Sequence, residues 1–128
     1  MTHDINIHHE DNHESASSYL VEEIRNLLVN SNRDFSIGLS GGNTPKLTYS
    51  MMAEKLDDLS KTFLWTIDDR WIEEDNDLSN QRMINEYFER TNANILKFEF
   101  TSSSPESDAK KYEDKLKSTI QILSLIHI

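Results

Sequence analysis

The sequence predicts an α/β fold, a Rossmann-like parallel sheet with helices on both faces. Short apolar runs of strand length alternate with longer stretches in which apolar residues recur every three or four positions. This alternation is typical of right-handed βαβ crossovers, which cover a parallel sheet with helices. The 128 residues contain no internal repeat and suffice for one domain of about 100–200 residues, so two domains are excluded.

Composition argues against nucleic acid as a partner and against cysteine chemistry. The chain carries 23 Asp and Glu against 13 Lys and Arg, a formal charge of −10, which repels nucleic-acid phosphates at long range. An anionic substrate therefore needs a local cluster of donors. There is no cysteine, which excludes disulfides, a thiolate nucleophile and thiolate zinc.

The chain is expected to be soluble and cytoplasmic, without membrane contact. No apolar run approaches the roughly 18–20 residues that span a bilayer, and the N-terminus lacks the regions of a signal peptide. The apolar share of 36% and the mean hydropathy of −0.66 are low for a self-contained domain. Either the core is thin or part of it is missing.

The first predicted helix runs from about Asn12 to Asn30. Its apolar residues share one face: Ala16, Tyr19, Leu20, Ile24, Leu27 and Leu28. A short strand, Phe35–Ser40, follows. Thr44 and Pro45 then predict an N-cap and a first helical residue, and the inner stripe of this second helix is predicted to be Leu47, Met51 and Leu56.

The remaining elements follow the same alternation. Phe63–Ile67 is predicted as the second strand and Ile95–Phe100 as the third. Ser79 is predicted to cap a third helix with Met83, Ile84, Tyr87 and Phe88 inside. A fourth helix opens at Ser104-Pro105-Glu106 and aligns Ala109, Tyr112, Leu116, Ile120 and Leu123.

Ser40-Gly41-Gly42-Asn43-Thr44-Pro45-Lys46 follows a strand and opens a helix. Two glycines let the backbone amides approach an anion, while the hydroxyls and Lys46 add donors and charge. The segment is a candidate phosphate cradle, although an ordinary tight turn with a helix cap explains the spacing equally well. It matches neither dinucleotide nor ATP motifs.

Asp68-Asp69-Arg70 follows the next strand. An arginine there offers a planar fork for phosphate, and a carboxylate can orient a catalytic group. Taken alone, local salt bridges at a strand end are the better explanation. Because consecutive parallel strands end side by side, however, both segments are expected at one cleft. Ser79-Asn80 is expected to line it too, although a simple N-cap explains Ser79 as well.

Metal sites are not expected. His3, His8, His9 and His13 lack ordered ligand spacing, and the acidic run Glu73-Glu74-Asp75-Asn76-Asp77 lacks the features of a calcium loop. Solvated side chains are the better interpretation of both. Trp65 and Trp71 are interpreted as core or interface residues.

Three segments together resemble a known family. Leu39–Lys46, Trp65–Arg70 and Asp77–Asn80 are similar to the S-G-G-[ST]-T-P-K, D-E-R and D-S-N signatures of 6-phosphogluconolactonases, within the superfamily that includes glucosamine-6-phosphate deaminases. The resemblance implies hydrolysis of 6-phosphoglucono-δ-lactone to 6-phosphogluconate in the pentose phosphate pathway, without cofactor or metal. Arg70 separates this branch from the deaminases, which resemble D-E-Y here.

The resemblance also implies residue roles. Asp68 would help to set the catalytic geometry, and the implied substrate-binding residues are Ser40, Gly41, Gly42, Asn43, Thr44, Lys46, Arg70, Ser79 and Asn80. The sequence departs from the family pattern at Asn43, at Asp69 and at the inserted Leu78. No G-x-D-G-H segment supplies the general-base histidine, because His127 lacks the surrounding glycines and acid.

Family members are about twice this length, so we expect residues 1–122 to be the N-terminal portion of one α/β domain and residues 123–128 to be a non-native tail. Alone, this portion is expected to be inactive. Two alternatives stay open: a non-catalytic sugar-phosphate-binding module, or a deaminase or isomerase of the same superfamily.

Overall fold

The computed structural model describes residues 4–120 and 124–127, which form four helices and four strands. In chain order these are α1 (His13–Asn30), β1 (Phe35–Leu39), α2 (Lys46–Lys55), β2 (Thr62–Thr66), α3 (Asn80–Phe88), β3 (Asn94–Leu96), α4 (Pro105–Ile120) and β4 (Ser124–His127). Within the described ranges, no helix has the length and apolar character that a bilayer crossing requires.

The strands form one parallel sheet in the order β3-β2-β1-β4. The chain steps from β1 to β2 to β3 in one direction and then returns across the sheet to β4. Because parallel crossovers are right-handed, this reversal places α4 on the face opposite α2 and α3. The predicted fold class, a Rossmann-like parallel sheet with helices on both faces, is confirmed.

The centre of the molecule is β1, whose five residues are all buried. Strands covered on both faces are expected to be apolar throughout, and this one contains only Ser36 as a polar side chain. The Ser36 hydroxyl accepts a hydrogen bond from Trp65 Nε1 at 2.7 Å. The main core lies between the sheet and α1–α3 and comprises Val21, Ile24, Ile37, Leu39, Tyr49, Met52, Leu56, Leu59, Leu64, Ile84 and Phe88.

The starts of α1 and α3 agree with the sequence prediction. The Asn12 side chain accepts a hydrogen bond from Ser15 N at 2.8 Å, so α1 begins at a side-chain cap. Ser79 caps α3 in the same way, through a 3.1 Å bond from Arg82 N. Ile84 and Phe88 are buried on the inner face of α3.

The predicted inner face of α1 is wrong in part. Ala16, Tyr19 and Leu27 are exposed, and the residues buried beside Ile24 are Ser17 and Val21. Ser17 lies inside because its hydroxyl accepts a hydrogen bond from the Thr48 hydroxyl of α2 at 3.0 Å.

Helix α2 differs from the prediction at its start and in its buried face. It begins at Lys46 with Pro45 at the cap position and no side-chain cap, so Thr44 is not the N-cap. The buried residues are Thr48, Tyr49 and Met52, whereas Leu47 is 37% exposed and Met51 is half-buried; Leu56 is buried as predicted. The cause is Tyr49, whose ring lies 5.9 Å from that of Phe88 and whose hydroxyl donates to Ser40 O at 2.7 Å.

The third strand is shorter than predicted and ends at Leu96. Beyond it, the backbone N–H of Phe98 donates to the Gln81 side chain at 2.9 Å rather than to a neighbouring strand. The Phe98 ring packs on Tyr112 with centroids 5.5 Å apart. Side-chain contacts therefore replace sheet pairing in this segment.

Helix α4 turns a different residue inward than its apolar spacing predicts. Ala109 is exposed, and the neighbouring Asp108 is buried at 1% exposure. Asp108 lies inside because its carboxylate accepts hydrogen bonds from Thr101 N at 2.8 Å and from Trp71 Nε1 at 3.1 Å. Tyr112 is half-buried as expected, and Leu123 lies outside the described residues.

The segment that we expect to be a non-native tail, residues 123–128, contains the fourth strand. Ser124–His127 lies parallel to β1, with Phe35 opposite Ser124 and Gly38 opposite His127. This pairing does not bear on where the segment comes from, and its assignment as a non-native tail stays a prediction.

Candidate functional site

The tips of β1 and β2 lie side by side. Leu39 and Thr66 are the last paired residues of the two strands, and Ile67 N donates to Leu39 O at 3.1 Å. The loop 40–45 and the segment Asp68-Asp69-Arg70 therefore leave the same edge of the sheet. This is the carboxyl edge, where open parallel sheets bind ligands.

Six of the predicted residues line one cleft at this edge, with a volume of about 560 Å³. They come from all three segments: Gly42, Asn43, Lys46, Arg70, Ser79 and Asn80. The expectation that the segments meet thus agrees with the geometry.

Four predicted residues do not line this cleft. Gly41 lies under the Asn80 side chain, Ser40 accepts the Tyr49 hydrogen bond through its carbonyl oxygen, and Thr44 is exposed in the turn before α2. Asp68 lines a separate pocket of about 280 Å³ on the side of α4, together with Trp71, Phe98 and Tyr112. The Asp68 carbonyl is nevertheless fixed beside the cleft by a 2.6 Å hydrogen bond from the Thr66 hydroxyl.

The glycine loop lines the cleft through Gly42 and Asn43. Gly42 has φ +91°, a conformation that glycine adopts without strain. Lys46 N bonds to Asn43 O at 3.3 Å, which closes the turn into α2. Since no side chain caps α2, the amides of its first turn stay available to an anion, and the positive end of the helix dipole favours one.

Arg70 is held by uncharged oxygens. Its Nη1 donates to Asn80 Oδ1 at 3.1 Å and to Leu78 O at 3.3 Å. In the part of the chain that the structure describes, Arg25 and Arg82 pair with carboxylates, whereas Arg70, like Arg33 and Arg90, forms no ion pair. Of these three arginines, Arg70 is the one that lines the cleft. A guanidinium in this state is ready for an incoming anion.

Asp69 caps the third helix. Its Oδ1 accepts from Arg70 N and Asn80 N, both at 2.8 Å, and its Oδ2 accepts from Gln81 N at 2.9 Å. The carboxylate thus satisfies two free amides of the first turn of α3 and complements the helix dipole. Sequence reasoning missed this role because the eleven-residue separation carries no local capping signal.

Arg82 also lines the cleft and was not predicted. It bonds Glu86 through Nε at 2.9 Å and Asp77 through Nη1 at 2.6 Å. The hydrogen bond to Glu86 is the main cause that raises the pKa of Arg82 above its ordinary value. The four-residue spacing of Arg82 and Glu86 on a helix is a signal that could have found this pair.

The acidic run contacts α3, and one of the N-terminal histidines packs on α1. Glu74 accepts a hydrogen bond from Asn85 at 2.6 Å, so the run is tied to α3 through Glu74 and Asp77. His8 stacks on Tyr19 with ring centroids 3.5 Å apart, and His3 lies outside the described residues.

Comparison with known proteins identifies a family and a curated relative. Residues 8–126 match the family described as glucosamine-6-phosphate isomerases/6-phosphogluconolactonase. A curated 6-phosphogluconolactonase from Synechocystis sp. is 34% identical over 91 residues, which cover 68% of this chain and 38% of that protein.

Solved structures share the fold. The 6-phosphogluconolactonase from Shewanella baltica superposes with a TM-score of 0.77 at 25% identity, over 86% of this chain and 50% of that one. The enzyme from Thermotoga maritima gives 0.68 at 31% identity, over 80% and 50%. A monomeric glucosamine-6-phosphate deaminase, at 16% identity and a TM-score of 0.70, shares the fold. The aligned part of the chain therefore spans about half the length of the two 6-phosphogluconolactonase structures. It spans 38% of the length of the curated relative.

Proposed function

Since the chain belongs to the glucosamine-6-phosphate isomerase/6-phosphogluconolactonase family, we propose that it forms the phosphate-binding portion of a 6-phosphogluconolactonase. The whole enzyme would hydrolyse 6-phosphoglucono-δ-lactone to 6-phosphogluconate in the pentose phosphate pathway. The observation that carries the proposal is the position of the Arg70 guanidinium in the cleft, where its partners among the described residues are the neutral oxygens of Asn80 and Leu78. The start of α2, which has no side-chain cap, lines the same cleft through Lys46.

The phosphate would be bound by two kinds of donor. The amides of Gly42 and Asn43 and the first turn of α2 supply oriented N–H groups, and Arg70 and Lys46 supply charge. Ser79 lies in the same cleft with its oxygen engaged by Arg82 N. These donors would act locally, against the formal charge of −10 that the whole chain carries.

Asp68 would set the geometry of the reacting end of the sugar. Its side chain is exposed, and its carbonyl accepts hydrogen bonds from Asn80 Nδ2 at 2.9 Å and from the Thr66 hydroxyl at 2.6 Å. The backbone that carries this carboxyl group is thus tied to the residues that line the phosphate cleft. We propose that the general base comes from a segment outside these 128 residues.

The deaminase alternative is less well supported. Aminosugar phosphates carry the same phosphate group, so the cleft by itself does not separate the two reactions. The Synechocystis relative and the Shewanella and Thermotoga structures, at 25% and 31% identity, are 6-phosphogluconolactonases by name. The binding-module alternative describes this portion alone, and turnover measurements separate it from the enzyme.

Titration with matched ligands tests the proposal. Adding 6-phosphogluconate to the isotope-labelled chain is expected to shift the amide resonances of Gly42, Asn43 and Lys46, whereas gluconate, which lacks the phosphate, leaves them in place. Arg70→Gln is expected to weaken binding by on the order of 10- to 100-fold, the value of a lost charge-assisted contact.

Arg33→Gln is the matched control, because Arg33 is exposed in the loop before β1, at the opposite edge of the sheet. Equal affinities for the two ligands, or equal effects of the Arg70 and Arg33 variants, would overturn the proposal.

A further inference from the structure

The Asn80 carboxamide joins all three segments of the cleft. It is 5% exposed, its Nδ2 donates to Asp68 O at 2.9 Å and its Oδ1 accepts from Arg70 Nη1 at 3.1 Å. The third contact is with Gly41, where a Cβ would lie 2.5 Å from Asn80 Cγ. One buried side chain thus lies between the glycine loop, the tip of β2 and α3.

These partners fix the orientation of the carboxamide. A side-chain flip would point the Nδ2 hydrogens at the Arg70 guanidinium and Oδ1 at the Asp68 carbonyl, so it would oppose donor to donor and acceptor to acceptor. Arg70 therefore meets an oxygen that cannot exchange with the nitrogen. An amide oxygen also accepts without neutralising the guanidinium, as a carboxylate would.

Asp69 fixes the same pair through the backbone. Its Oδ1 accepts from the N–H groups of both Arg70 and Asn80, at 2.8 Å each. The two residues are therefore joined twice, once through their main chains and once through their side chains. These two links limit the rotamers that the long Arg70 side chain adopts. Arg70 therefore loses less conformational entropy when it binds a ligand.

We infer that Asn80 is a positioning residue that acts through Arg70, rather than a direct ligand of the substrate. It holds Nη1 with a neutral acceptor. Nε and Nη2 of the guanidinium, which bond to no residue that the structure describes, would then face the phosphate. The inference rests on the proposed function, in which Arg70 binds the sugar phosphate. It changes the role of Asn80 from the substrate-binding one that the family resemblance implies.

A double-mutant cycle tests this role with 6-phosphogluconate as the probe. The affinity of the 128-residue chain is measured for wild type, Asn80→Ala, Arg70→Gln and the double variant. Asn80→Ala alone is expected to weaken binding by roughly 5- to 10-fold, the size of a lost hydrogen bond. In the Arg70→Gln background the same change is expected to alter affinity by less than about 2-fold, because coupled residues are not additive.

A direct contact between Asn80 and the phosphate would instead give the same loss in both backgrounds, and this result would overturn the inference. So would a purely structural role, which lowers affinity equally with and without Arg70. Asn85→Ala is the matched control: it removes an amide from the same helix, and its side chain bonds Glu74 and Gln81. This control is expected to keep wild-type affinity.

Two further results separate the inference from the proposed function. If Arg70→Gln alone leaves the affinity unchanged, or if the wild-type chain does not bind at millimolar 6-phosphogluconate, the phosphate site itself is wrong and the inference falls with it. If Arg70→Gln weakens binding but the effect of Asn80→Ala is the same in both backgrounds, only the inference is wrong. Should Asn80→Ala fail to fold, Asn80→Ser replaces it in the cycle, since a hydroxyl then occupies the buried position.

Discussion

Gly41 lies so close to Asn80 that no side chain fits at position 41: a Cβ there would lie 2.5 Å from Asn80 Cγ. The neighbouring Gly42 is glycine for another reason, since it has φ +91° and open space around it. One glycine thus permits a close approach and the other permits a left-handed backbone. The two positions are expected to respond differently to the same substitution.

Gly41→Ala is expected to weaken 6-phosphogluconate binding about as much as Asn80→Ala, because the added methyl displaces the carboxamide that holds Arg70. Gly42→Ala is expected to cost roughly 1–2 kcal/mol of unfolding free energy through backbone strain, with no such clash. Chemical denaturation and ligand titration of both variants measure the two effects. Unchanged binding in Gly41→Ala would show that the contact is not needed.

Residue patterns along the chain were sufficient to predict the tips of β1 and β2 and the capped start of α3. Apolar runs ending in glycine or charge mark where buried strands leave the sheet, and Ser79 is a local capping signal. The meeting of three segments in one cleft agrees with the predicted parallel sheet, in which consecutive strands end side by side.

Features set by distant contacts were not predictable in this way. The buried face of α2 depends on the packing of Tyr49 against Phe88, and the role of Asp69 depends on a helix start eleven residues further along the chain. Asp108 is buried because three donors from two residues, the N–H and hydroxyl of Thr101 and the indole N–H of Trp71, converge on it. Periodicity within one segment contains no information about such partners.

Asp69→Asn is expected to destabilise the chain by about 1–2 kcal/mol, the usual cost of a lost helix cap. A carboxamide offers one acceptor oxygen where the carboxylate uses two, so at least one of the bonds from Arg70 N, Asn80 N and Gln81 N is lost. Asp57→Asn makes the same charge change at an exposed site and is the control. Urea unfolding that shows equal midpoints for the two variants would contradict the capping role.

The 128-residue chain is expected to leave the hydrolysis of 6-phosphoglucono-δ-lactone at its spontaneous rate. Its histidines are His3, His8, His9, His13 and His127, and none lies in a G-x-D-G-H segment. The formation of 6-phosphogluconate can be followed with a coupled dehydrogenase, with an authentic 6-phosphogluconolactonase as the positive control. Clear turnover by the chain would mean that it contains a general base that we have not identified.

Asp108 is expected to make the stability of the fold sensitive to acid. Hydrogen bonds to its carboxylate, first from the backbone and hydroxyl of Thr101 and then from Trp71, lower the pKa of Asp108 below its ordinary value. Between the folded pKa and the ordinary value, the unfolded chain binds a proton that the folded chain does not. The stabilisation is therefore complete above the ordinary pKa and is lost as the pH falls through the folded pKa.

Asp108→Asn removes this titration and places an amide where three donors converge, so the variant is expected to be less stable than wild type at neutral pH. The difference should shrink as the pH is lowered, because only wild type loses the contribution of this carboxylate. Urea unfolding followed by tryptophan fluorescence, from neutral to acidic pH, measures both curves, and Trp71 is itself a partner of Asp108. Asp57→Asn again controls for the change in net charge. If the unfolding free energies of Asp108→Asn and wild type differ by the same amount at all pH values, the Asp108 carboxylate does not cause the loss of stability in acid.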